Sequence, residues 1–224
     1  MNLPFGSSVY NARAMTLASY RIRRYEPGDL AAAYRICLKT GDSGEDASRL
    51  YGDPELLGHL YAGPYLVLEP ELAFMLNDEG MLGDESGVCG YILGALDTGR
   101  YHRAYLERWL PALQARYPDP EGGPESWTPD ERIRHLLHHP RLELPEAAHD
   151  YPSHLHIDLL PRAQGRGDGR RLMARFLDEL RARGSRGVHL GVGARNSRAQ
   201  RFYHAYGFTE LSRQDWGVTF GMKL

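Results

Sequence analysis

The 224-residue sequence predicts an α/β domain built on a mixed central sheet. Three observations lead there. Short apolar runs of strand length alternate with stretches whose apolar residues recur at helical spacing. A glycine-rich turn, Gln164-Gly165-Arg166-Gly167-Asp168-Gly169, joins an apolar strand-like run at 155–160 to a helix-like run ending at Arg183. The chain closes on two strand-like segments that read as a hairpin.

Residues 1–19 carry no clear periodicity and are expected to form a flexible N-terminal arm; residues 20–224 are expected to form a single domain. Residues 20–24 read as the first strand. Pro27-Gly28-Asp29 then starts a helix, with Asp29 as its N-cap before Leu30, Tyr34, Cys37 and Leu38. Residues 41–46 form a polar, acidic loop, and 54–61 a second short helix. Residues 73–76 and 88–96 read as strands around turn residues 77–87. The segment 97–152 interrupts this order as a helical insertion expected to pack against the core. In it Tyr101, Tyr105, Leu106, Trp109, Leu110 and Leu113 recur at helical spacing, and Thr128-Pro129-Asp130-Glu131 is a capping box that opens a second helix. After the glycine turn, Leu172, Met173, Phe176, Leu177 and Leu180 fall on one face of a helix that stops at Gly184. Residues 188–192 are a strand. Ser197 and Gln200 read as a capping box for a helix with Ala199, Phe202, Tyr203 and Tyr206 on one side, and 208–211 and 218–224 form the hairpin.

A chain of this length buries about 70 % of its unfolded surface and needs no disulfides. Its net charge of −2 argues against nucleic acid or a membrane surface as partner. No apolar run reaches the ~18 residues of a membrane helix, and there is no basic-then-apolar signal pattern, so a cytoplasmic location is expected. Cys37 and Cys89 lie in apolar runs and read as buried thiols of a reducing compartment. His135, His138 and His139 read as a surface helix end. No nearby carboxylate or cysteine completes a ligand set, so no metal is expected.

The glycine turn carries the chemistry. At a strand-to-helix junction it exposes main-chain N–H groups at the positive end of a helix dipole, a geometry that binds phosphate. There is no G-x-x-x-x-G-K-[ST], and G-x-G-x-G deep in the chain is not the G-x-G-x-x-G of a dinucleotide fold. Glycine at 165, 167 and 169 leaves room for close approach, and Arg166 and Arg170 could add charge-assisted bonds. Asp168 is acidic inside this turn. It would repel a phosphate if pointed at it, and steady the first helical turn if pointed away.

The surrounding residues spell L-x-P-x-x-Q-G-x-G-x-G from Leu159, then L-x-V-x-x-x-N-x-x-A-x-x-F-Y-x-x-x-G-F from Leu190. This combination resembles the GNAT superfamily of acetyl-CoA-dependent N-acetyltransferases. Tyr20-Arg21-Ile22-Arg23, Cys89-Gly90-Tyr91-Ile92-Leu93-Gly94 and His156-Ile157-Asp158 further resemble the acetyltransferase-like C-terminal domain of eukaryotic O-GlcNAcase and its free-standing bacterial relatives. The resemblance implies a mostly antiparallel sheet flanked by helices, with a helical insertion before the cofactor-binding strand. It implies transfer of acetyl from acetyl-CoA to a primary amine, small molecule or peptide, by direct attack in a ternary complex. The eukaryotic domain has lost the glycine loop and is read as a pseudo-acetyltransferase, so a non-catalytic CoA-binding or protein-interaction module is the alternative. This chain keeps all three glycines, which implies that cofactor binding survives.

The same resemblance assigns the coenzyme to Gln164 and the glycine turn, and its peptide-like arm to the main chain of Leu159 and Leu160. It gives Asn196 a bond to that arm, where the residue alone reads equally as a helix cap, and Tyr203 the protonation of the leaving thiolate, where an apolar helix face alone reads as core. His154, His156 and Asp158 alternate along one strand and share a face. Asp158 is the first choice for general base, by resemblance, and His156 the second; a purely structural carboxylate is the competing role. Asp42 and Asp46 sit in the loop that borders the acceptor site in related folds, where they either attract a cationic amine or are solvated loop acids.

Overall fold

The computed structural model, which describes residues 20–80 and 86–224, places seven strands in one sheet. They are β1 (Arg21–Arg24), β2 (Ala73–Asn77), β3 (Val88–Ala95), β4 (Ser153–Leu159), β5 (Gly187–Gly193), β6 (Thr209–Gln214) and β7 (Gly217–Lys223). Their order across the sheet is β1-β2-β3-β4-β5-β7-β6. Every ladder is antiparallel except β4–β5, which is parallel. The expected arm at 1–19 and part of the turn after β2 lie outside the described residues.

The helices are α1 (Leu30–Thr40), α2 (Leu56–Tyr61), α3 (Gly63–Leu68), α4 (Thr98–Ala104), α5 (Leu110–Arg116), α6 (Pro129–His138), α7 (Asp168–Ala182) and α8 (Ser197–Tyr206). A π-helical turn, Tyr105–Trp109, joins α4 to α5 ahead of Pro111. β3 is buried at every position, as a central strand covered on both faces must be. On one face α7 lays Leu172, Met173, Phe176, Leu177 and Leu180 into the core. Gly94 permits that approach, since a Cβ there would run into the Phe176 ring. On the other face α1 packs against β3 and β4. Cys37 and Cys89 are both buried, and neither forms a disulfide.

The insertion is clasped at its base. The N–H and the hydroxyl of Thr98 both donate to the Pro152 carbonyl, each at 2.8 Å. Its far end rests on α2 and the loop before it: Trp109 Nε1 donates to the His59 carbonyl at 2.9 Å, and Asp130 accepts from the N–H groups of Gly52 and Asp53. The Thr128–Glu131 capping box forms as the spelling requires. Two other caps differ from expectation. Asp29 lies in a 3-10 turn before α1 and accepts from Glu26 N, because its carboxylate is held in a fork by Arg23. α8 is capped by Asn196 rather than by Ser197, whose place is the first helical residue. Among the described residues no helix is long and apolar enough to cross a membrane.

Candidate active site

The glycine turn has the backbone its spelling demands. Gly165 and Gly167 hold φ of +72° and +86°, the left-handed region in which a side chain is strained. A Cβ built on either would meet nothing within 4 Å, so the space beside both is open. Gly169 is different: its φ is ordinary, and a methyl there would rest against Phe202 at 3.6 Å. The N–H groups of Gly165, Gly167, Asp168 and Gly169 meet no acceptor among the described residues. Four donors at a helix N-terminus with no partner make an anion seat.

Asp168 does not fill that seat. It is 2 % exposed, and its carboxylate turns to Arg171 Nη1 at 2.6 Å and Arg166 Nε at 3.6 Å. The acid is thus neutralised by these two arginines. The arginines are drawn off as well, contrary to the simple expectation of phosphate ligands. Arg166 also lies over the Tyr20 ring at 4.5 Å, and Arg170 lies over the Tyr206 ring at 5.0 Å. The seat is a main-chain device with positive charge set around its rim.

Beside it the sheet opens. β4 and β5 pair only at Ser153↔Val188 and His154↔His189, although each strand runs for seven residues. Beyond His154 they diverge, and a gap runs between them toward the glycine turn. Leu160 N donates to the Cys89 carbonyl of β3 at 2.8 Å, and the Leu160 carbonyl accepts from Ala163 N. Its N–H is therefore not available to a ligand, which corrects the expectation for Leu160. Residues of an antiparallel ladder turn alternately to either side, so Leu159 and Ile157 direct their main-chain groups into the gap. Gln164 stands at its mouth, donating from Nε2 to the Leu159 carbonyl at 2.7 Å while Oε1 accepts from Arg198. Asn196 caps α8 through Oδ1, which accepts from Ala199 N at 3.0 Å; its Nδ2 is turned to the side of Gly44.

On the α1 side of the gap, His154, His156 and Asp158 share a face, as strand alternation requires. A cavity of about 910 Å³ opens there. Its wall is aromatic and comes from separate segments: Tyr61 and Tyr65, Tyr101 and Tyr105 of the insertion, and Trp216 of the final hairpin. Residues 140–145 of the insertion close one side, and among the described residues Arg141 and Glu143 are the only formally charged ones in the lining.

A row of hydrogen bonds fixes the state of His156. The Thr98 hydroxyl gives its single proton to the Pro152 carbonyl, so it accepts from His154 Nδ1 at 2.8 Å. His154 is neutral, its pKa driven well below the usual range by burial and then by the neighbouring histidines. Its Nε2 is therefore bare and accepts from the Tyr65 hydroxyl at 2.9 Å. That oxygen in turn accepts from His156 Nε2 at 3.1 Å. Burial lowers His156 to about 4, so the ring is neutral and its Nδ1 keeps a free lone pair. Asp158 accepts from the Tyr91 hydroxyl at 2.7 Å; burial outweighs that bond and raises its pKa.

Tyr203 is 6 % exposed on α8, packed by Phe202, Phe208 and Phe220. Its hydroxyl has no hydrogen-bond partner among the described residues. Burial, then the charge of Asp158, raises its pKa and keeps the phenol protonated. Asp42 and Asp46, expected at the acceptor site, do not line the cavity. Asp42 accepts from Arg195 at 2.6 Å and Asp46 from Lys39 at 2.8 Å, each answering a local cation. The aromatic wall was not foreseen, since its members are scattered and each alone reads as core. The expected absence of a carboxylate near the α6 histidines is also overturned: Asp119 comes from the loop after α5 and bonds to both His135 and His139.

Comparison with known proteins agrees with the fold. Residues 139–208 match the acetyltransferase (GNAT) family. The crystal structure of SsHAT superposes with a TM-score of 0.84 at 42 % identity, over 92 % of this chain and 98 % of that one. Protein O-GlcNAcase of Rattus norvegicus is 30 % identical over 197 residues, 88 % of this chain; the chain spans only 21 % of that protein's length. The mycothiol acetyltransferase of Beutenbergia cavernae is 46 % identical over 71 residues, 32 % of this chain and 23 % of that protein.

Proposed function

The chain belongs to the acetyltransferase (GNAT) family of acyltransferases, and from that premise we propose that it moves an acetyl group from acetyl-CoA to a primary amine held in the aromatic cavity. The observation that carries the reading is the gap between β4 and β5 with four unpartnered N–H groups at its mouth. A diphosphate suits those amides, which lie beside open space at Gly165 and Gly167. An amide-rich arm suits the main chain of Leu159 and Ile157 as an added strand would. Arg166 and Arg170 act at the rim, and Asn196 serves as the cap that fixes the start of α8.

Bound acetyl-CoA supplies an acyl group activated as a thioester. The protein's own groups then have distinct tasks. His156 Nδ1 accepts the proton of the attacking amine, and Tyr65, His154 and Thr98 hold the ring in the tautomer that permits it. That row ends on the Pro152 carbonyl, so it orients the base and does not carry the proton away. Asp158 stands second as base, fixed by Tyr91. Tyr203 keeps a proton at its hydroxyl for the departing sulfur. Both cysteines, Cys37 and Cys89, are buried, which favours direct attack by the amine over a covalent acyl-cysteine.

The test is release of free thiol from acetyl-CoA across a panel of primary amines, from amino sugars to peptides. Wild-type protein is expected to release thiol. Tyr203→Phe should lower kcat by about 10-fold or more, and His156→Gln by about 10²-fold, with acetyl-CoA affinity kept. If Asp158→Asn abolishes turnover while His156→Gln does not, the base is Asp158. Coenzyme binding with no thiol release on the whole panel sinks the catalytic reading in favour of a non-catalytic CoA-binding module.

A further inference from the structure

We propose that Asp119, His135 and His139 form a divalent-metal site of the zinc class that ties the loop after α5 to the end of α6. His135 Nδ1 lies 3.1 Å from Asp119 Oδ1, and His139 Nε2 lies 2.7 Å from Asp119 Oδ2. All three ligand atoms lie within 4.8 Å of one another. A tetrahedral zinc ion with bonds of about 2.0–2.1 Å holds its ligand atoms about 3.3 Å apart. The triad is therefore within a small closing movement of that arrangement.

The parts come from different elements, and each is held in place. His135 and His139 stand one helical turn apart, with ring centroids 4.2 Å from each other. Trp127 packs on His135 at 4.5 Å, which restricts that ring. The carboxylate arrives from a loop sixteen residues upstream of His135. The side chains are 37 %, 33 % and 57 % exposed for Asp119, His135 and His139, so an ion can reach them from solvent. In the metal-free form each imidazole donates a proton to Asp119. A cation takes the place of those protons, each ring moving its own to the opposite nitrogen, and two protein bonds become three metal bonds. Two neutral imidazoles and one carboxylate, with the remaining position left for water, suit zinc or copper rather than magnesium or calcium.

The site has a mechanical consequence. His139 is followed at once by the 140–145 segment that closes one side of the cavity. Fixing His139 to Asp119 anchors the start of that segment, independently of whether the protein turns over any amine.

The experiment is calorimetric titration and equilibrium dialysis of the tag-free full chain with Zn²⁺, beside Mg²⁺ as control. One zinc ion bound per chain is expected, and Asp119→Asn or His139→Ala should each weaken it by at least about tenfold. His204→Ala, on α8, should leave it unchanged. Amide hydrogen exchange across residues 139–149 should slow when zinc is added. Absence of zinc binding overturns the site, as does Asp119→Asn binding zinc like the wild type. Unchanged exchange in the zinc-bound chain overturns the clamp.

Discussion

Replacing Gly167 with alanine separates the cost of backbone strain from the cost of a blocked phosphate seat. The φ of +86° makes any side chain unfavourable there, and a Cβ built at the position meets nothing within 4 Å. The penalty to the fold is thus that of one left-handed alanine, about 1–2 kcal/mol. The new methyl projects into the space proposed for the diphosphate. Loss of one charged hydrogen bond is worth about 1.5–3 kcal/mol, which at about 1.4 kcal/mol per decade is a ~10- to 100-fold weaker acetyl-CoA complex. Gly184 supplies the matched control: its φ is +79°, a Cβ there also meets nothing within 4 Å, and it lies at the other end of α7. Urea denaturation should show Gly167→Ala and Gly184→Ala losing similar stability. Calorimetry with acetyl-CoA should show a loss for Gly167→Ala alone. Equal coenzyme affinity in the two variants would refute the assignment of the seat.

Other perturbations test other parts. Burial would raise Glu179, but bonds from Arg24, Arg175 and Arg183 outweigh it and lower its pKa from 4.5 to about 2. A carboxyl depressed in the folded state stabilises above its unfolded pKa, and that stability drains away as pH falls from 4.5 toward 2. Glu179→Gln should therefore cost stability at pH 7 and flatten the acid-unfolding curve in that window. The arginines are 32–48 % exposed, which holds the expected cost to about 1–2 kcal/mol; unchanged acid unfolding would count against the network. Thr128→Ala removes the cap of α6 and should destabilise by about 1 kcal/mol in thermal unfolding, whereas Thr128→Ser should restore most of it. The Cys37 thiol, raised by burial, should resist thiol reagents until the chain unfolds.

What could be read from the sequence follows from the range of the forces involved. The helix after the glycine turn is a local pattern of five apolar residues at helical spacing, and all five are buried in the structure. The alternation of His154, His156 and Asp158 is equally local. The main-chain accounting was not legible, because whether Leu160 or Leu159 faces the gap depends on which side β3 pairs. Asn196 takes the cap from Ser197 by a shift of one residue, within the ordinary uncertainty of a helix boundary. The cavity wall and the Asp119 triad depend on segments far apart in the chain. Neither Tyr65 beside Tyr101 nor Asp119 beside His139 leaves a periodic trace. The pairing of Asp42 with Arg195 and of Asp46 with Lys39 is illegible for a related reason: a loop acid gives no sign of the cation it will meet.

The two-pair junction of β4 and β5 divides the sheet into two leaves, β1 to β4 and β5 to β6, joined along a short seam. Ser153 and His189 stitch it, the first bonding to the Leu96 carbonyl and Ser185, the second to the Tyr151 carbonyl. His156 and Asp158 ride on one leaf, Asn196 and Tyr203 with the other. The distance between the proposed base and the proposed acid is then set by the angle at which the leaves stand. Loosening the stitch at Ser153 would alter that angle, and with it the rate of the proposed reaction, from a position outside the cavity lining.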